Sequence, residues 1–152
     1  MKWLLRLAVV AALVLLGWWM WQRIFVTDEQ RVQRLIRSMA RAVETGNLLK
    51  LEAGIAQDYG DDFGFDKSAV LGAVRSFRAQ YESILILLSD LQITITPDHQ
   101  TAQVVFIAKI LAKPKGSLTD SELRTDRFRL SFRKTDHGWQ MTRAESPQLK
   151  FD

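Results

Sequence analysis

The chain has 152 residues, of which 21 are basic and 17 acidic, giving a formal net charge of +4. Three bases (Lys2, Arg6 and Arg23) and no acid precede Asp28, so the rest carries 18 bases against 17 acids. A nucleic-acid binder needs its positive surplus on the folded domain, so we expect no nucleic-acid partner. The chain lacks cysteine, which excludes disulfides, thiolate metal sites and a cysteine nucleophile.

An uncharged apolar run at residues 7–21 predicts a membrane segment. Arginines bracket the run, and tryptophans stand near both of its ends, as is typical of membrane interfaces. The distance from the first to the last of these tryptophans is about 27 Å along a helix, close to a hydrocarbon core of ~30 Å. We therefore interpret residues 1–26 as a transmembrane anchor positioned by Trp3, Arg6, Trp18, Trp19, Trp21 and Arg23.

A cleaved signal peptide is the alternative, because Lys2 and Arg6 resemble its basic start and the run has the length of its apolar region. The bulky residues 18–21 favour an uncleaved anchor, since cleavage requires small side chains. Basic residues flank the run almost equally, but a very short basic N-terminus usually stays in the cytoplasm. We therefore expect a single-pass protein of the inner (cytoplasmic) membrane, with a periplasmic C-terminal domain in a Gram-negative-type cell.

Helical periodicity predicts three helices after the anchor, at residues 28–44, 47–53 and 67–81. Thr27 or Asp28 is placed to cap the first, Gly46 to end it, and Asp66 to cap the third. The first helix is amphipathic, with an apolar arc (Val32, Leu35, Ile36, Met39, Val43) opposite a basic arc (Arg31, Arg34, Arg37, Arg41). The basic arc is either a solvated face or a surface that attracts anionic lipid headgroups. The third helix carries an apolar stripe at Val70, Val74, Phe77 and Tyr81.

Alternation of apolar residues predicts four strands from residue 84 onward. In the first strand, Ile84, Ile86 and Leu88 share one parity, whereas Leu91, Ile93 and Ile95 share the other. One extra residue near positions 89–90, a β-bulge, would return both sets to one face. Helices followed by consecutive antiparallel strands predict an α+β fold, in which a curved sheet wraps the helices. We expect one domain at residues 27–148 and a short tail at residues 149–152.

Several features resemble the nuclear transport factor 2-like superfamily, whose fold is a cone of helices and curved sheet. They are the order of elements, the acidic loop at residues 58–66, the run from Phe77 to Tyr81 that leads into a long strand, the alternation Ala102, Val104, Phe106, Ala108, and the closing Gly138-Trp139. The resemblance covers residues 28–144. It implies an interior cavity and often a dimer through the outer sheet face. It does not choose among isomerases, dehydratases, transport adaptors and anchored assembly proteins such as the VirB8-like component of type IV secretion systems.

The resemblance implies that catalytic members use carboxylates, tyrosines or a His-Asp pair inside the cone. Here the candidates are Asp58 and Asp62 beside Tyr59, since a carboxylate in an apolar pocket can act as a general base. The alternative is that the acidic loop only closes turns and caps the third helix. We predict His99 and His137 to lie in surface turns. We expect no metal and no cofactor.

Aromatic residues are predicted to point into the cone, where they form either a packed core or an apolar ligand cavity. These residues are Phe77, Tyr81, Phe106, Phe128, Phe132 and Trp139. On the outer sheet face, Val105, Ile107 and Leu111 are the candidates for contact with a second copy or a membrane-protein partner. We therefore expect a membrane-tethered binding or scaffolding domain, not an enzyme. The alternative is an isomerase- or dehydratase-like enzyme that uses a carboxylate inside the cone.

Overall fold

Three helices precede four strands between residues 26 and 145 of the computed structural model, which describes residues 10–16, 26–116 and 121–145. The helices are α1 (Asp28–Thr45), α2 (Leu48–Ala53) and α3 (Lys67–Gln80). The strands are β1 (Tyr81–Ile95), β2 (Thr101–Pro114), β3 (Glu122–Thr135) and β4 (Gly138–Glu145). They form one antiparallel sheet in the order β1-β2-β3-β4. The predicted α+β organisation is confirmed.

Capping residues set the ends of α1. The Thr27 hydroxyl accepts a hydrogen bond from the Gln30 backbone N–H at 3.3 Å, satisfying one of the free donors of the first turn. Gly46 ends the helix at a φ of +72°, a left-handed conformation that glycine adopts without steric cost. Between these caps, the apolar arc buries Val32 and Ile36 against the sheet. The cap and the amphipathic helix are as predicted.

The third helix begins as predicted and ends one residue earlier than predicted. The Asp66 carboxylate accepts a hydrogen bond from the Ala69 backbone N–H at 2.8 Å and so caps α3. Tyr81 already has extended backbone angles and is the first residue of β1, so the strand begins three residues before the predicted position 84. None of the residues of α3 is fully buried, in contrast to α1.

A β-bulge interrupts the pairing of β1 with β2 at the predicted place. Ser89 pairs with Ile107 and Gln92 with Val105, so β1 has one residue more than β2 across this interval. Asp90 sits in the bulge at a φ of +51°. The extra residue reverses the parity of β1, and both apolar sets therefore pack against the inner side of the sheet.

The core lies between α1 and the concave face of the sheet. It is built from alternate residues of β2 and β3 and from the aromatic and methionine side chains of β4: Ala102, Val104, Phe106, Ala108, Leu130, Phe132, Trp139 and Met141. The segment after α2 also joins the sheet edge. Met141 donates its backbone N–H to the Gly54 carbonyl at 2.8 Å, and Ala56 donates to the Met141 carbonyl at 2.9 Å. Helix α2 is thereby fixed beside β4.

The predicted anchor lies largely outside the described residues. All six residues assigned to it, from Trp3 to Arg23, and the tail at residues 149–152 fall there. The described stretch at residues 10–16 is helical and exposed. Within the described ranges, no helix combines the length and apolarity needed to cross a bilayer.

Asp28 connects the start of α1 to the far end of the sheet. Its carboxylate accepts hydrogen bonds from Lys134 Nζ at 3.1 Å and Trp139 Nε1 at 3.4 Å, and lies 3.1 Å from His99 Nδ1. Burial acts to raise the pKa of this carboxyl, but the hydrogen bonds and the Lys134 charge outweigh burial and hold the pKa below its usual 3.8. The ionised form therefore stabilises the native state.

We predict that Asp28→Asn lowers the free energy of unfolding by about 1–2 kcal/mol at pH 7, because hydrogen bonds to a charged group are lost. Since the native pKa lies below the unfolded one, this contribution is present above pH ~4 and disappears as pH falls through the native pKa. Urea unfolding of both proteins between pH 7 and pH 2 measures the difference. Asp136→Asn, in the exposed β3–β4 turn, is the matched control. A difference that persists at the acid limit would contradict the assignment.

Candidate functional site

An apolar cavity of about 570 Å³ lies between α1, α3 and the concave sheet face, and it is open to solvent. Every residue that lines it is apolar: Ile36, Met39, Ala40, Val43, Leu51, Ile55, Val70, Ala73, Val74, Phe77, Ile86, Leu88, Phe106, Ala108, Ile110, Phe128, Leu130 and Met141. The lining therefore offers no ionisable side chain to a ligand. The volume of the cavity is in the range of pockets that hold small organic molecules.

Helical and strand periodicity together build this cavity. On α1, Ile36, Met39 and Val43 recur on one side of the helix at the spacing expected of a single face. The sheet contributes alternate residues, among them Phe106 and Phe128, whose rings are stacked with centroids 5.7 Å apart. Because no residue of α3 is fully buried, this helix covers the cavity without sealing it.

Small side chains explain why the interior is not filled. Ala40, Ala73 and Ala108 line the cavity from α1, α3 and β2. Three elements thus present a methyl group where a larger side chain would pack. Ala108 belongs to the alternation expected on the inner face of β2, whereas Ala40 and Ala73 were not singled out in the sequence, although their positions on the inward faces of the helices were the available signal.

Three of the six aromatic residues predicted for the interior line the cavity: Phe77, Phe106 and Phe128. The other three, Tyr81, Phe132 and Trp139, lie elsewhere. Phe132 and Trp139 are buried in the core beyond the cavity wall. Tyr81 packs on Phe77 with centroids 4.7 Å apart and donates its hydroxyl to a Glu122 carboxylate oxygen at 3.2 Å.

The candidate catalytic acids lie on the surface and are paired with arginines. Asp58 accepts two hydrogen bonds from the Arg133 guanidinium, at 2.8 and 2.9 Å, and these bonds hold the pKa of Asp58 below its usual value. Asp62 pairs with Arg143. Neither carboxylate lines the apolar cavity. The structure therefore does not bring either of them to the place where a substrate would be enclosed.

Tyr59 is buried, but its hydroxyl points into the acidic loop. It donates to Asp61 Oδ2 at 3.3 Å, and burial, with the Asp61 charge, raises the pKa of Tyr59 well above its usual value. Asp61 Oδ1 accepts from the backbone N–H groups of Phe63 and Phe65 at 2.9 and 2.8 Å. These bonds close the loop before α3, as expected of aspartates in turns.

Both histidines lie in hairpin turns. His99 follows β1 and contacts Asp28, and His137 lies between β3 and β4. In the described ranges, no three histidine or carboxylate side chains are grouped closely enough to hold a metal ion.

The outer face of the sheet is partly apolar. Val105 and Ile107 are half-buried there, and Leu111 is exposed. The register places Leu85, Leu111 and Leu123 in a row across β1, β2 and β3, and all three side chains are exposed. Contact of this face with a second copy or a membrane protein stays a prediction.

We predict that Ala40→Phe changes the free energy of unfolding by less than about 1 kcal/mol, because the ring enters existing space. The control is Ala42→Phe, in the same helix but buried outside the cavity, where overpacking costs about 1–3 kcal/mol or more. Helix propensity changes equally at both positions, so urea unfolding isolates the effect of the space. Equal destabilisation of the two variants would mean that the cavity is not available to a side chain.

No family model matches the sequence, and no curated protein matches it either. Solved structures with the same fold do match. A candidate scytalone dehydratase from Novosphingobium aromaticivorans aligns with a TM-score of 0.70 at 13% identity, over 77% of this chain and 80% of that chain. A nuclear transport factor 2-like superfamily protein from Salmonella enterica gives 0.68 at 11%, over 82% and 94%.

A third match is a nuclear transport factor 2-like protein with a cystatin-like fold, also from N. aromaticivorans. It gives a TM-score of 0.63 at 20% identity, over 95% of this chain and 90% of that chain. At such identities the likeness concerns the fold and not the activity. The chain has the nuclear transport factor 2-like, cystatin-like fold that its sequence resembles.

Proposed function

We propose that this protein is a membrane-tethered, non-catalytic binding domain that takes an apolar small molecule into the cavity between α1, α3 and the sheet. The observation that carries this proposal is the wholly apolar lining of an open cavity of about 570 Å³. Burial of apolar ligand surface is favourable by roughly 25 cal/mol per Å², so such a cavity binds by shape and hydrophobicity.

The chemistry of the lining favours binding over catalysis. A general base must lie within hydrogen-bond reach of the proton that it abstracts. The best candidates, Asp58 and Asp62, are exposed and held by Arg133 and Arg143. The alternative of an isomerase- or dehydratase-like enzyme draws support from the candidate scytalone dehydratase of the same fold. An enzyme of this type would require an acid and a tyrosine to converge on the cavity, and the cavity lining contains neither.

The tether forms the second part of the proposal. Its support is the uncharged run at residues 7–21 with flanking arginines and tryptophans. Helix α1 begins shortly after this run and exposes Arg31, Arg34, Arg37 and Arg41 on the side opposite the core. Among the described residues, none of these four side chains pairs with a carboxylate. Such a basic face next to an anchor attracts anionic lipid headgroups and keeps the domain at the membrane surface.

We predict that toluene, a neutral apolar probe, binds in the cavity of the full-length chain and shifts its isoleucine methyl NMR signals saturably. The affected methyls belong to Ile36, Ile86 and Ile110, which line the cavity, whereas Ile107 on the outer face is the internal reference. Non-specific partition of toluene into the detergent that keeps the full-length chain in solution would not distinguish the lining methyls from Ile107. A shift confined to the lining methyls therefore identifies the site.

Ala40→Phe should weaken this binding at least tenfold, because the ring occupies the space that the probe needs. Leu49→Phe, at a position 80% exposed on α2, adds a ring outside the cavity and should leave binding unchanged. Equal shifts at Ile107 and at the lining methyls, or unchanged binding by Ala40→Phe, would rule out the cavity as the binding site.

We predict that Leu13→Arg together with Leu16→Arg releases the protein from membranes. Each arginine at the centre of a spanning helix costs roughly 2.5–3.5 kcal/mol on insertion scales. Alkaline extraction followed by immunoblotting of pellet and supernatant measures the release. Leu49→Arg is the control, because it adds the same charge to an exposed site of the folded domain. Retention of the double variant in the pellet would contradict the tether.

A further inference from the structure

A second pocket, of about 480 Å³, lies outside the apolar cavity where the end of α3 meets the turn between α1 and α2. The lining of this basic pocket differs from that of the cavity, because three of its seven residues are basic. The seven residues are Gly46, Leu48, Arg75, Arg78, Ala79, Glu82 and Lys115. None of these seven residues lines the apolar cavity. The basic pocket is therefore separate from the apolar cavity and differs from it in chemistry.

Arg78 is held in place at the wall of the basic pocket. Its Nη1 donates to the Tyr81 carbonyl at 2.9 Å, and its Cγ lies 3.5 Å from the point where a side chain at Gly46 would begin. The arginine stem therefore packs at van der Waals distance from the end of α1. The Nε atom is buried and has no hydrogen-bond partner in the described part of the chain. A buried donor on a cation without an acceptor is costly, and a nearby anion would offset that cost.

The remaining charges of the basic pocket leave a positive surplus. Glu82 is the one acid in the lining, and its carboxylate pairs with Lys113 Nζ at 2.9 Å. Arg75 and the Lys115 ammonium have no carboxylate partner among the residues that the structure describes. The Lys115 backbone N–H donates to the Gln80 carbonyl at 3.0 Å, which fixes this residue beside the end of α3.

We propose that the basic pocket binds a phosphate group through Arg75, Arg78 and Lys115. Guanidinium groups match phosphate oxygens with paired N–H donors, and a phosphate monoester carries about −1.5 to −2 charges near pH 7, which suits the surplus. Leu48 and Ala79 give the pocket an apolar wall on which the organic part of a phosphate ester rests. The phosphate belongs either to a free solute or to a lipid headgroup, and the two sources are separable by experiment.

The test is NMR of the full-length chain in neutral detergent, observing the arginine Nε–H signals during titration with inorganic phosphate at constant ionic strength. We expect saturable shifts of Arg75 and Arg78 and no shift of Arg127, which is exposed on the outer face of the sheet. Arg75→Gln, at an exposed position, should weaken phosphate binding at least tenfold, and Arg127→Gln, also at an exposed position, should leave it unchanged. Arg78→Lys keeps the positive charge but loses the paired N–H donors of the guanidinium, so it should also weaken phosphate binding.

Replacing detergent by nanodiscs separates the sources. Shifts that appear in nanodiscs containing phosphatidic acid, a lipid phosphate monoester, and are absent in phosphatidylcholine nanodiscs identify a lipid headgroup. Shifts with inorganic phosphate alone identify a free phosphate compound. If neither source shifts Arg75 and Arg78, the proposal is overturned. It is also overturned if chloride produces the same shifts, or if Arg75→Gln and Lys115→Gln both titrate like the unchanged protein. None of these outcomes depends on whether toluene enters the apolar cavity.

Discussion

The two-residue repeat of a strand is the constraint on which this structure depends. Over the fifteen residues of β1, a regular strand would turn either Ile84 and Leu88 or Leu91 and Ile93 toward water. The bulge at Asp90 removes this conflict, because one unpaired residue restores the second set to the inner face. It also bends the strand, as bulges do, and a bent sheet can enclose space against helices. The concave sheet face that forms one wall of the cavity therefore depends on the bulge at Asp90.

The cavity results from small residues on a well-determined scaffold. The caps of α1 and the contacts of Asp28 hold this helix in place, so the helix does not move toward the sheet to fill the space beside Ala40. Helix α3 is held at its first turn by Asp66 and at its end by continuity with β1, and its middle lies over the opening with no fully buried residue. A rigid floor and a lightly packed cover are suited to the entry of an apolar ligand.

The sequence was informative about the backbone because caps, bulges and periodicity are local signals. Thr27, Gly46, Asp66 and the parity change near Asp90 were sufficient to place helix ends and the bulge. It was less informative about the interior, since packed cores and cavities use the same apolar residues. That Phe106 lines the cavity while Phe132 does not depends on how distant elements approach each other. The arginine partners of Asp58 and Asp62 lie 75 and 81 residues away, a separation that no periodicity reveals.

Each edge of the sheet carries hydrogen bonds from another part of the chain. Beside β4, the segment at residues 54–56 exchanges backbone hydrogen bonds with Met141. Beside β1, the Ile86 N–H donates to Glu44 Oε1 at 2.6 Å, and the bulge breaks the regular row of donors and acceptors. These hydrogen bonds and the bulge interrupt the row of backbone donors and acceptors along the edges, and such interruptions disfavour the addition of a strand from a second chain.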